Sequence, residues 1–115
     1  MSGPRIVSGT LRLADAVAPG AIVRVKVEDV SRLDAAAVAI AETVLPLAAG
    51  AAAGADIAFS ITVPATDERA TYVVRAHVDT SGSGDISAGD LVSSQAYPVL
   101  TQGHPDRVVV EARKI

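Results

Sequence analysis

Cysteine and tryptophan are absent from this 115-residue chain, and its aromatic residues stop at one phenylalanine and two tyrosines. Without cysteine there is no disulfide, no thiolate nucleophile and no cysteine-ligated zinc. With so few rings the core has to be aliphatic, and no ligand face built from stacked aromatics is expected. Positive charge is scarce too. Ten Lys/Arg against thirteen Asp/Glu leave a formal charge of -3, with no dense basic run, so nucleic acid is a poor partner. Long apolar runs are also missing. The uncharged stretch from Thr43 to Ala55 is broken by Pro46, Gly50 and Gly54 and falls short of the roughly 20 residues that span a bilayer, so no transmembrane segment is expected.

The length suits one domain, residues 1–115, with a sizeable core. The residues before Ile6 show no charged leader followed by an apolar stretch, and no cysteine offers itself for lipid attachment. As it stands the chain reads as soluble and cytoplasmic, or as an envelope or periplasmic protein if a leader has been removed.

What the sequence has in quantity is small and β-branched aliphatic residues, arranged with a period of two. Val23, Val25 and Val27 alternate with Arg24, Lys26 and Glu28, which predicts a half-buried strand. Ile57, Phe59, Ile61 and Val63 share one face of a second strand that ends at Pro64. Tyr72, Val74, Ala76 and Val78 form the inward face of a third, and Val108, Val110 and Ala112 that of a fourth. Leu11 and Leu13 open the set, and the segment from Leu91 to Leu100 adds an irregular strand near Pro98. Val38–Val44 is rich in alanine, which favours helix, but Val38, Ile40 and Val44 are β-branched and tip it to strand. The alanine/glycine run from Leu47 to Ala55 reads as a mobile loop.

Six or seven strands with no helical alternation predict an all-β fold. The expected architecture is an antiparallel two-sheet β-sandwich, immunoglobulin-like or transthyretin-like, with a small curled barrel as the alternative.

Four segments in order, Val27–Ala35, Val38–Glu42, Tyr72–Val78 and Tyr97–Thr101, give the chain a family likeness from about Gly9 onward. It resembles the YbaY-like lipoproteins, which are related to the YscW-type lipoprotein chaperones, or pilotins, of type III secretion. The resemblance implies a β-sandwich in a small envelope-associated accessory protein without catalytic machinery.

The sharpest local chemistry is the stretch from Asp79 to Asp90. Set against a twelve-residue calcium loop, Asp79 falls at position 1, Ser81 at 3, Ser83 at 5, Gly84 at the turn, Asp85 at 7 through its carbonyl, and Asp90 at 12. A hard cation needs oxygens converging from one short loop, so Asp79, Ser81, Ser83, Asp85 and Asp90 are candidate Ca²⁺ ligands. The competing reading is a solvated serine/glycine hairpin without metal. His77 and His104 are the two imidazoles. His77 is expected on an outward strand face and His104 in a turn near Asp106, and a general-base role would need an orienting carboxylate or nucleophile beside them. Arg24, Lys26, Arg75 and Arg113 would form a basic patch if their strands are neighbours. The preferred function is a non-enzymatic accessory or binding module that offers an edge strand or a face to a protein partner. A small enzyme using His77 or His104, or a structural domain with a calcium loop, is the alternative.

Overall fold

The computed structural model describes residues 3–32 and 34–115. Eight strands follow one another in the chain: β1 (Arg5–Leu13), β2 (Ala21–Asp29), β3 (Val38–Leu47), β4 (Asp56–Val63), β5 (Tyr72–Asp79), β6 (Leu91–Ser93), β7 (Tyr97–Val99) and β8 (Arg107–Lys114). Each predicted run of alternating residues is a strand, and the alanine-rich segment resolves as β3. The segment from Leu91 to Leu100 divides into β6 and β7, which both pair with β5.

The two-sheet sandwich is overturned. The strands belong to a single sheet in the order β3-β2-β5-β6-β8-β1-β4, with β7 beside β5. This sheet curls until its two edge strands, β3 and β4, approach each other, making a nearly closed barrel. Nor is the pairing wholly antiparallel, because β1 and β8 run parallel, with Ser8 opposite Arg107 and Leu13 opposite Ala112. A period of two marks which face of a strand is buried but carries no information on whether two buried faces belong to two sheets or to one sheet wrapped on itself.

All the predicted inward faces meet in the barrel interior. Val23, Val25, Val27, Ile61, Val63, Val74 and Val78 are almost wholly buried there, together with Phe59, Leu11 and Leu13. Closure requires β1 and β8 to come unusually close at Gly9, where an added Cβ would lie 1.8 Å from the Val108 carbonyl oxygen and 3.1 Å from Phe59 Cζ. Glycine there is a steric requirement of the barrel.

The run from Leu47 to Ala55, expected to be mobile, is tied down. Val17 and Ala51 exchange two backbone hydrogen bonds of 2.9 and 3.0 Å, and Leu13 bonds to Ala55 and Gly54. Gly50, at φ 69°, has Val17 O 2.5 Å from where a Cβ would sit. The lacing ties the β3–β4 connection to the end of β1 and to the β1–β2 connection at one end of the barrel, and no ladder pairs β3 with β4 themselves.

Candidate functional site

The loop from Thr80 to Gly89 returns the chain from β5 to β6 and is gathered around two aspartates. Asp79, the last residue of β5, and Asp90, just before β6, are both fully buried. Asp79 accepts hydrogen bonds from Gly82 N at 2.9 Å, Gly84 N at 2.8 Å and the Ser81 hydroxyl at 3.3 Å. Arg24, cross-strand on β2, brings its guanidinium to 3.2 Å from Asp79 Oδ2. Asp90 accepts from Thr80 N at 3.0 Å, the Thr80 hydroxyl at 2.6 Å and Ser87 N at 3.1 Å, and His77 Nε2 lies 2.7 Å from its Oδ2.

These contacts set the acidity of both groups. Burial alone would raise the Asp90 pKa, but the bonds from His77, Thr80 and Ser87 outweigh it and hold the carboxyl well below the usual range. Burial also opposes ionisation of Asp79, and the amides of Gly84 and Gly82 with Arg24 and His77 pull it below its ordinary value. Both carboxylates are therefore ionised at neutral pH and satisfied by donors of the same chain.

Of the five expected calcium ligands, the structure brings Asp79 and Asp90 together. Ser81, Ser83 and Asp85 lie on the exposed part of the loop, where Ser83 Oγ donates to the Asp85 carbonyl at 3.2 Å. Among the described residues, the group nearest to a metal-ligand set is His77, Asp79 and Asp90, with ligand atoms within 4.8 Å of one another. Four backbone N–H groups and one guanidinium already point at these carboxylates, an arrangement suited to holding a loop without a cation.

His77 is on the outward face, as its strand parity requires, but its side chain is only 12% exposed because the loop folds back over it. The sequence carried no sign of its pairing with Asp90, thirteen residues further on. His104 remains exposed in its turn, and Asp106 pairs with Arg5 at 2.6 Å.

Arg24, Lys26 and Arg75 do lie on neighbouring strands, with Arg24 opposite His77 and Lys26 opposite Arg75. They do not form an unopposed basic patch. Arg75 Nε is 2.7 Å from Glu28 Oε1, although that oxygen lacks a well-aligned hydrogen bond, and Lys26 Nζ is 3.9 Å from Glu42. Arg113 pairs with Glu111 at 2.8 Å. A groove of about 580 Å³ runs over this wall between the Gly84–Ile86 stretch and Ile115. Its lining joins these matched charges to Val92, His77 and Ser93, with the His77 ring held by Asp90 at 2.7 Å and Ser93 Oγ accepting from the Ala76 amide at 3.1 Å.

The other open feature is the seam. β3 is paired along one edge to β2, and β4 along one edge to β1. No ladder joins the facing edges, and Leu45, Leu47 and Ile57, which border the gap from inside, are only partly buried. Among the described residues no helix is long and apolar enough to cross a membrane.

Comparison with known proteins gives two matches. The model of the family described as type III secretion system lipoprotein chaperone (YscW) matches residues 4–111. Among solved structures, an alternative pilotin from the type II secretion system of Vibrio cholerae superposes with a TM-score of 0.79, covering 97% of each chain at 19% identity. At that identity the likeness is one of fold. No curated protein matches the chain.

Proposed function

The chain belongs to the family of type III secretion system lipoprotein chaperones (YscW), and from that membership we propose that it holds an extended segment of a secretion-system protein along the seam between β3 and β4. The family assignment is that of a non-catalytic, envelope-associated accessory protein, and the site agrees with it, since His77 and the buried carboxylates serve to fix a loop. Within the family we place the chain beside the YbaY-like lipoproteins, on the motifs Val27–Ala35 and Tyr72–Val78.

The observation that carries the reading is the pair of facing sheet edges without a ladder. Unpaired edge groups are a template for an incoming strand, and proteins that do not use such an edge normally cover or blunt it. The test is to remove the protein from its native cell and follow the amount and membrane distribution of the secretion-system proteins encoded there. Loss of one of them from the envelope fraction, restored by the wild-type chain, supports the reading. Unchanged amounts and distribution of all of them overturn it.

A further inference from the structure

The backbone geometry of the seam defines which residues of β3 are free to bond and what they would bond to. In an antiparallel ladder, successive residues turn their N–H and C=O groups alternately to one side and the other. Val30 N donates to Thr71 O at 2.9 Å, continuing the β2–β5 register, so the even-numbered residues of β2 bond β5 and the odd-numbered ones bond β3. Ala76, opposite Val25, is turned away from β2 accordingly, and its N–H goes to Ser93 Oγ at 3.1 Å. On β3, Thr43 and Leu45, opposite Val25 and Val23, therefore bond β2, while Glu42, Val44 and Pro46 face the seam. Pro46 has no N–H to offer, which blunts the edge at the end that the Val17–Ala51 bridge already laces. Towards the other end, Ile40 is the extra residue of a bulge between the Val27 and Glu28 pairs. Glu42 and Val44 remain as the regular part of the open edge.

Their side chains give the window a chemistry. Both point outward, Val44 at 45% exposure and Glu42 with 38% of its side chain exposed. The Lys26 ammonium, at 3.9 Å, is only loosely engaged with Glu42. Between them Thr43 faces inward, where the seam is bordered by Leu45 and Ile57. The facing edge on β4 presents Asp56, Ala58, Ser60 and Thr62, and the one charge among them, on Asp56 at the laced end, is already engaged by Arg12 at 3.0 Å.

We propose that β3 is the receiving edge and that its partner is a short extended segment running antiparallel to it. In chain order that segment has an aliphatic residue opposite Val44, an aliphatic residue turned into the seam, and a lysine or arginine opposite Glu42. The inference rests on the partner-holding reading above and adds its register and charge. Opposite charges directly across a ladder favour pairing, and like charges oppose it.

The probe is the capped hexapeptide Ser-Val-Val-Lys-Val-Ser, with a second peptide carrying glutamate in place of lysine, titrated into the intact protein and followed by amide NMR and hydrogen exchange. The lysine peptide is expected to slow exchange of the Glu42 and Val44 amides and to bind about twofold to fivefold more tightly than the glutamate peptide. Glu42→Lys should reverse that preference. Val44→Pro removes one seam-facing N–H without touching the β2 ladder, so it should keep the fold and lose the peptide. Should that variant fail to fold, the charge reversal still decides. Protection confined to β4 or the groove wall, no reversal with Glu42→Lys, or no binding at millimolar peptide would overturn the register. In any of these cases, loss of a secretion-system protein from the envelope of cells lacking the chain would leave the broader reading standing.

Discussion

Gly9→Ala tests the barrel itself. The added methyl carbon would sit 1.8 Å from Val108 O, less than the separation of bonded heavy-atom neighbours in a hydrogen bond, and the obstacle is backbone. No rotamer change relieves it, so β8 must withdraw from β1 by more than an ångström. Withdrawal loosens the first half of a parallel ladder running from Ser8–Arg107 to Leu13–Ala112. Losing two of its bonds at about 1 kcal/mol each, with overpacking strain of about 1–3 kcal/mol, destabilises the fold by roughly 3–5 kcal/mol. A domain of this kind holds about 5–15 kcal/mol in all, so the variant should unfold at a much lower urea concentration. Gly20→Ala is the control. It meets nothing within 4 Å but sits at φ 94°, so it should lose only the roughly 1–2 kcal/mol of left-handed strain. Urea titrations by far-ultraviolet circular dichroism measure both. If Gly9→Ala costs no more than Gly20→Ala, the close approach of β1 and β8 is not what closes the sheet, and the argument fails.

Phe59→Ala removes the ring of the chain's single phenylalanine from the interior and should destabilise by about 3–5 kcal/mol in the same assay. A loss under 1 kcal/mol would mean the core does not depend on it. Asp79 and Asp90 have pKa values lowered by folding, so the unfolded state takes up protons first as the pH falls. Their stabilisation is complete above about pH 5 and declines as the pH drops through about 4 towards the depressed native values. Asp90→Asn should accordingly flatten the pH dependence of the melting temperature between pH 5 and 3, and a slope equal to that of the wild type would refute the assignment. Because four amides and Arg24 already satisfy the two carboxylates, the thermal midpoint should be the same in millimolar Ca²⁺ and in chelator. A rise with Ca²⁺ that disappears in Asp79→Ala would instead establish Asp79 and Asp90 as ligands.

The strands were legible because each has one buried face. Alternation at Val23/Val25/Val27 or Phe59/Ile61/Val63 is a local signal that the structure honours residue by residue. Their assembly into one curled sheet was not, since the parallel pairing of β1 with β8 joins residues from opposite ends of the chain and leaves a trace in the sequence only as a glycine among alternating positions. The acidic loop is half legible. The spacing singles out Asp79 and Asp90, which organise the loop, but carries no sign of the Gly82, Gly84, Thr80 and Ser87 amides that bond them. Strand parity gives His77 its outward face but not its burial, because covering by a loop is a tertiary event that parity does not encode.

The ladder between β1 and β8 also sets the order of events in time. As the chain emerges from a ribosome or a translocation pore, β1 appears before the other strands, yet the strand that flanks it on one side is β8, the last of the eight to arrive. β4 can zip against β1 early, and β2 can pair with β3 and then with β5, but the two halves stay hinged apart until β8 slots between β1 and β6. Such distant pairing places folding in the slow, millisecond-to-second regime of β-rich domains. For most of its synthesis the nascent chain is thus an open ribbon with an exposed aliphatic face, and the closing step is reserved for the moment the last strand becomes available.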